Sequence, residues 1–253
     1  VDKVVPDAAQ AVADIGSGAS LAVGGFGLCG VPVALIEAIL ASGATDLVTV
    51  SNNCGVDEWG LGRLLFHHRI ARTIGSYVGE NREFERQFLA GEIEVELIPQ
   101  GTLAERLRAA GAGIPAFYTP AGVGTAVAEG GLPLRFDGAG GVALASPPKE
   151  VRRFGERDYV LEEALGTDFA LVRAAVGDRE GNLVFHSSAR NFNPLCAAAG
   201  RITIAEVERL VDPGEIDPDH VHTPGIFVQR VVEVGAGDKR IEKRTTRPAP
   251  DAH

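Results

Sequence analysis

The sequence predicts an α/β protein: an open, largely parallel sheet with helices on both faces and an added β-hairpin region. Three observations carry this reading. Short apolar runs alternate with segments of helical period through the first half of the chain. The connections between them are only a few residues long, as in repeated strand–helix–strand units. The apolar runs also end in polar or glycine-rich loops at 24–30, 51–53 and 99–101, the ends at which parallel sheets collect ligands.

The elements follow in chain order. Residues 7–15 place Ala8, Val12 and Ile15 at helical spacing. Leu21-Ala22-Val23 is a buried strand running into Gly24-Gly25-Phe26-Gly27-Leu28-Cys29-Gly30. Pro32 suits the first turn of the next helix, where an N–H would lack a partner anyway, and that helix stops at Gly43. A strand at 47–50 ends in Ser51-Asn52-Asn53. A helix is expected around 57–67, a strand at 70–75 and a helix at 81–90 closed by Gly91. The strand 93–99 leads into Pro99-Gln100-Gly101, and Thr102 can cap the helix 103–110. In the second half, 151–165 reads as a hairpin on the sheet's margin. Residues 168–178 and 181–187 read as strands joined by the turn Asp178-Arg179-Glu180-Gly181. A helix around 192–199, a strand at 201–207 and a last strand at 225–234 complete one domain, 1–237. A C-terminal tail, 238–253, is rich in basic residues and proline and is expected to fray or to dock on a partner.

Composition narrows the function classes. The 253 residues suffice for one large core. A net charge of −10, from 24 basic and 34 acidic residues, argues against generic binding to nucleic acid or to anionic membranes. No apolar run approaches the roughly 18–20 residues of a membrane span, and no signal peptide precedes the first helix. The three scattered cysteines lead to the expectation of a reducing, cytoplasmic location. Cys29, Cys54 and Cys196 form no C-x-x-C pair, which speaks against a disulfide scaffold or a zinc ribbon. The 32 glycines are nearly double average usage and punctuate well-patterned segments.

Gly25-Phe26-Gly27-Leu28-Cys29-Gly30 matches G-x-G-x-x-G between a strand and a helix, which taken alone suggests a phosphate on a helix N-terminus. A dinucleotide fold also wants an acid at the end of the second strand, and here stand Ser51, Asn52 and Asn53. A ligand loop and a plain tight turn both remain open on spacing. Cys29 has neither His nor Lys beside it in sequence and reads as a small buried thiol. His67, His68, His220 and His222 lack the spacing of a zinc site, and no metal is expected. His186 adjoins Ser187 and Ser188, but strand neighbours point to opposite faces, so adjacency makes no catalytic pair. Trp59, Phe84 and Phe88 read as packing on helical faces.

The segment Leu21 to Pro32 resembles the first signature of the family I CoA-transferases: an apolar triplet followed by G-G-F-x-x-x-G-x-P. The likeness continues through VSNNCG at 50–55, a long stretch at 76–125, and Ala189-Arg190-Asn191-Phe192-Asn193-Pro194. The chain is similar to the A (alpha) subunits of bacterial succinyl-CoA:3-ketoacid transferases within that family, and 3-oxoadipate and short-chain fatty-acid CoA-transferase subunits share much of the pattern.

The resemblance implies a CoA-transferase-like fold and covalent catalysis of the ping-pong type. CoA is then a substrate, with no permanently bound cofactor. The nucleophilic glutamate lies in the B half of these enzymes, in a Ser-Glu-Asn-Gly motif that this chain lacks. The nearest look-alike, Gly79-Glu80-Asn81-Arg82, belongs to the A half. The resemblance therefore implies no catalytic nucleophile here and an obligate B-subunit partner in an AB heterodimer or A2B2 heterotetramer, with the site between them. It assigns Gly24, Gly25, Phe26, Gly27, Leu28, Cys29 and Gly30 to CoA binding, and Gln100, Asn52 and Asn53 to the substrate. Gln100 could instead cap the next helix, and the two asparagines could merely satisfy loop backbone. Around His186 the family often has a basic residue; 189–194 reads as a structural turn near the cleft. A stand-alone CoA or sugar-phosphate binder on the same fold, or a scaffold for its partner, are the competing readings.

Overall fold

A strand buried on both faces must be apolar on both, and the first four strands meet that demand less and less toward one edge. β1 (Ser20–Val23) and β2 (Leu47–Val50) are almost wholly buried, β3 (Ile70–Gly75) is partly exposed, and β4 (Glu94–Leu97) alternates as an edge strand does. In the computed structural model, which describes residues 1–237, these strands form one half of an eight-stranded sheet. The other half is β10 (Thr167–Asp178), β12 (Gly200–Val211) and β13 (Arg230–Glu233), in the order β13-β12-β10-β1-β2-β3-β4. All these neighbours pair in parallel; only β11 (Leu183–Val184) is antiparallel, folding back on β10. The strand order reverses between β1 and β10, which makes the loop after β1 the topological switch point.

Helices cover both faces, as expected. α1 (Ala8–Ala11), α2 (Val33–Ser42), α3 (Leu61–Phe66) and α4 (Arg82–Leu89) pack with Leu21, Val23 and Leu47. α5 (Gln100–Gly111) and α7 (Asn193–Ala199) pack with Ala22, Val50 and Ile74. The alternation of Leu21, Ala22 and Val23 between the two cores is the period-2 geometry of a strand. Leu35, Ile36 and Ile39 of α2 are fully buried, each contributing about 2 kcal/mol, and Gly43 ends the helix in the left-handed conformation. Asn81 caps α4 by accepting the N–H of Phe84 and ties it to the loop after β2 by donating to the carbonyl of Cys54.

Several elements differ from the sequence reading, each for a visible reason. The first helix stops at Ala11, whose carbonyl accepts from Arg230, a residue that also pairs with Asp14. α5 begins at Gln100, so Thr102 lies inside the helix, buried, and does not cap it. The last strand shrinks because Gly225–Phe227 forms a 3-10 turn. The expected hairpin exists, as β8 (Val151–Phe154) and β9 (Arg157–Glu163), but it is not on the margin of the main sheet. It pairs with β5 (Ala116–Thr119) in a separate three-stranded antiparallel sheet. A further hairpin, β6 (Pro133–Phe136) with β7 (Val142–Ala145), and the short α6 (Ala126–Glu129) have no counterpart in the sequence reading. The expected tail, 238–253, lies outside the described residues.

β10 and β12 are both twelve residues long, and this length positions the site. β1 pairs with β10 only at Phe169–Leu171, so Val172–Asp178 run on past the glycine loop, with β12 beside them throughout. The two strands form a wall along one flank of the loop.

Candidate functional site

The loop after β1 leaves the sheet with the N–H of Gly24 donating to Leu171, then turns on reciprocal backbone bonds between Phe26 and Cys29 (3.0 and 2.9 Å). Its tip is held by Asn53, whose amide accepts the N–H of Gly27 at 2.9 Å and donates to the Gly27 carbonyl at 3.2 Å. Asn53 in turn accepts from Asn52 (3.0 Å), and the oxygen of Asn52 accepts from Gln100 (2.6 Å) and from Ser76 (3.1 Å). A chain of side-chain amides therefore runs from the glycine loop to the start of α5, across the C-terminal ends of β1, β2, β3 and β4. It joins all three loops singled out in the sequence.

Asn52 and Asn53 are buried and Gln100 is exposed, so the chain of amides is anchored inside and open at its Gln100 end. Gln100 is the first residue of α5, and its side chain reaches Asn52 rather than capping the helix. Among the described residues no side chain caps this N-terminus, so its first-turn N–H groups and the positive end of the helix dipole stand beside the Gln100 amide. One Gln100 N–H is used on Asn52; a primary amide has a second, suited to an oxygen that gains negative charge.

The other flank is different. Arg173 on the β10 wall is buried, donating to Glu206 at 3.0 Å and to Glu208 at 3.2 Å. A cavity of about 250 Å³ separates this wall from the loop, lined by Leu28, Val31, Trp59, Arg173 and His186 among others. The second oxygen of Glu206 accepts the N–H of Leu35 at 3.0 Å, at the start of α2. Burial pushes the Glu206 carboxyl up to about 7, with the α2 N–H groups and Arg173 pulling the other way. The helix N-terminus that the G-x-G-x-x-G spacing offers to a phosphate is thus already occupied by a carboxylate of the protein. That is the physical reason, beyond the missing acid after β2, why the spacing misleads here.

Asparagines of the 189–194 segment close the loop from this side. Asn191 donates to the carbonyls of Cys29 (3.0 Å) and Ser188 (2.8 Å), and Asn193 donates to those of Gly30 (3.0 Å) and Ala189 (2.8 Å). The segment is a 3-10 turn, Ser187–Arg190, running into α7, and so is a turn as expected. Its two asparagines, with Arg173 and Glu206, are the neighbours of the loop that sequence reasoning missed. Their one local signal is the 189–194 motif itself.

The remaining candidates sort plainly. Cys29 is half-buried, its Sγ 3.5 Å from the Ser188 hydroxyl, and Cys54 and Cys196 are buried. Burial pushes the thiol of Cys54 up to about 11 and that of Cys196 up to about 12. His222 accepts the N–H of Phe185 at 2.9 Å, and burial lowers its pKa, so it is a neutral structural acceptor. Glu80 is exposed, with a positive φ of 63°, in the turn before α4. Phe84 and Phe88 are packing residues, and Trp59 is also buried, though in the turn before α3 rather than on a helix. No group of three or more potential metal ligands occurs, and no helix is long and apolar enough to cross a membrane, among the described residues.

The profile of a family described as coenzyme A transferase matches residues 5–234. A protein of Mycobacterium bovis, named as the probable A subunit of a succinyl-CoA:3-ketoacid coenzyme A transferase, is 69% identical over 247 residues, covering 98% of this chain and 100% of that one. The A subunit of the succinyl-CoA:3-ketoacid coenzyme A transferase of Xanthomonas campestris pv. campestris is 56% identical, covering 95% of this chain and 93% of that one. Among solved structures, an acyl-CoA transferase apoenzyme from Escherichia coli O157:H7 superposes with a TM-score of 0.78 at 24% identity. That match covers 92% of this chain but only 47% of the longer one, and it supports the shared fold. The resemblance read from Leu21–Pro32 and the later motifs is borne out by these matches.

Proposed function

Since the chain belongs to the coenzyme A transferase family, we propose that it is the A subunit of a 3-oxoacid CoA-transferase that moves CoA from succinyl-CoA to acetoacetate. Relatives at 69% and 56% identity, named as A subunits of a succinyl-CoA:3-ketoacid coenzyme A transferase, support succinyl-CoA as the donor and a 3-ketoacid, of which acetoacetate is the simplest, as the acceptor. The nucleophile is a glutamate of a B subunit, in a Ser-Glu-Asn-Gly motif, and this chain supplies the surface against which it works.

Chemistry proceeds by exchange. The partner's glutamate attacks the acyl-CoA thioester, forming an acyl–glutamyl anhydride and releasing CoA thiolate. The thiolate then attacks the glutamyl carbonyl, giving a glutamyl–CoA thioester and free acid, and a second acid reverses the sequence. Every step passes through a tetrahedral oxyanion, so neutral donors fixed in place are needed on the reacting face. The observation that carries this reading is the amide chain Gly27–Asn53–Asn52–Gln100, which ends in an exposed amide at an uncapped helix N-terminus. Gln100 holds the thioester or carboxyl oxygen, Asn52 fixes Gln100, and Asn53 ties both to the loop Gly24–Gly30, which takes the acyl-CoA. An amide suits this place because a carboxylate would repel the anionic substrate.

The test is reconstitution. This chain and the B subunit are co-expressed, treated with succinyl-CoA and reduced with borohydride. Modification of the partner's glutamate is expected, together with no turnover by the purified chain alone. Turnover by the isolated chain, or a complex that never acquires an adduct, overturns the proposal.

A further inference from the structure

We propose that Asn193 is a positioning residue that sets the shape of the glycine loop by filling the space that Gly24 leaves empty. Gly24 does not adopt a positive φ; what forbids a side chain there is room. A Cβ on Gly24 would lie 2.0 Å from the Asn193 amide oxygen, and one on Gly30 would lie 2.9 Å from its nitrogen and 2.7 Å from the Ala189 carbonyl. One fully buried side chain therefore occupies the missing side-chain space at both ends of the loop. The glycine at position 24 makes room for the protein's own amide.

The hydrogen bonds specify an amide and no other group. The Asn193 oxygen accepts the N–H of Arg173 at 3.0 Å, while its nitrogen donates to Gly30 and Ala189. Aspartate would turn an oxygen toward two carbonyl oxygens, and alanine would leave both carbonyls and the Arg173 N–H without this partner. The same side chain thus bonds the end of the loop to the β10 wall, while Asn53 holds the loop tip from the other flank. Through these contacts Asn193 acts on the substrate without touching it. This inference rests on the reading that the loop takes the acyl-CoA.

The experiment uses the AB complex carrying Asn193→Ala and, as an isosteric control, Asn193→Asp. Steady-state kinetics and amide exchange at Phe26 and Cys29 are measured on each. The expected result is loop exchange at least tenfold faster and a KM for acyl-CoA about tenfold higher. The KM for the acid acceptor should be unchanged, and Asp should be no better than Ala despite its matching shape. Because KM is read on whatever fraction folds, a loss of folded protein with wild-type KM overturns the proposal. Unchanged loop exchange in a folded variant also overturns it, with the loop's reading intact. Faster exchange with an unchanged acyl-CoA KM removes the loop from the substrate site, and the positioning role falls with it.

Discussion

Two helix N-termini lie along the switch-point end of the sheet, and they are prepared in opposite ways. At α2, directly after the glycine loop, the buried Glu206 carboxylate accepts the Leu35 N–H and pairs with Arg173. At α5 no side chain among the described residues caps the helix, and the neutral amides of Gln100 and Asn52 stand beside it. The first is filled by the protein's own carboxyl group; the second is left open for an anionic oxygen. The difference teaches that a glycine-rich turn before a helix does not by itself mark where charge is received. What matters is whether the protein has already placed its own carboxylate there.

The largest effect that could break this comparison is at Gln100. Replacing it with Ala is expected to lower turnover of the assembled complex by about 10²–10³-fold, as for loss of one oxyanion donor. Because Gln100 is exposed, the variant should melt within about 2 °C of wild type. Gln100→Glu should be at least as impaired, because its shape is kept and its charge is wrong. Steady-state assays on both variants decide the matter: near-normal turnover in either one removes Gln100 from the site and leaves α5 an ordinary helix end.

The closed N-terminus gives a pH signature. Burial holds the Glu206 carboxyl at about 7, above the ordinary glutamate value of 4.5. The folded state thus binds this proton more tightly than the unfolded state. The corresponding stability is fully present below pH about 4.5 and is lost as pH rises through about 7. Relative to wild type, Glu206→Gln should therefore gain roughly 2 kcal/mol between pH 5 and 8, read by urea denaturation across that range. The difference between the two proteins is the quantity to follow. Carboxylates such as Asp14, whose pKa the hydrogen bond from Arg230 lowers, lose stability in the opposite direction as pH falls. A wild-type-minus-variant difference that stays flat would mean that Glu206 titrates as an ordinary glutamate and that burial does not hold its proton at the α2 end.

How much of this can be read from sequence follows from the range of the interactions. β1 is clear because its apolar run Leu21-Ala22-Val23 is ended by Gly24, and β2 (LVTV) and β3 (IARTIG) because they are short β-branched-rich runs bounded by turn residues; strand–helix alternation then flags the loops at their C-terminal ends. β5 is half-buried throughout and β7 exposed throughout, so neither has a period to detect; β5 exists through antiparallel pairing with β9 and β7 through antiparallel pairing with β6. β12 runs beyond its expected end because its far half is fixed by pairing with β10. At the site, Asn52, Asn53 and Gln100 sit at strand ends and can be named from sequence. Asn193 reaches Gly30 across 163 positions, and Glu206 reaches Leu35 across 171. Contacts of that separation leave no local pattern beyond the 189–194 motif in which Asn193 stands.

A smaller effect sharpens the contrast between the loop's two clasps. Asn53 bonds the Gly27 N–H and carbonyl at a half-buried tip, whereas the Asn193 side chain is itself fully buried and also takes the backbone N–H of Arg173. Asn53→Ala should therefore cost about 1 kcal/mol by denaturant unfolding. A larger loss would place the loop's main anchor on the amide flank and not on the β10 wall.

The smallest expected effect concerns Cys29, which lies in the loop beside the cavity and tempts a nucleophilic reading. Its neighbour is the hydroxyl of Ser188 at 3.5 Å, a group that does not stabilise a thiolate as a cation would. Cys29→Ser should change turnover of the complex by less than about twofold, since the covalent chemistry belongs to the partner's glutamate. The same thiol also reports on burial. In the native isolated chain a disulfide reagent should titrate Cys29 alone, because burial holds Cys54 at about 11 and Cys196 at about 12. All three thiols should react after unfolding. A hundredfold loss of turnover in Cys29→Ser would move the reacting group from the partner into this loop, and the neutral amide flank would then have no oxyanion to serve.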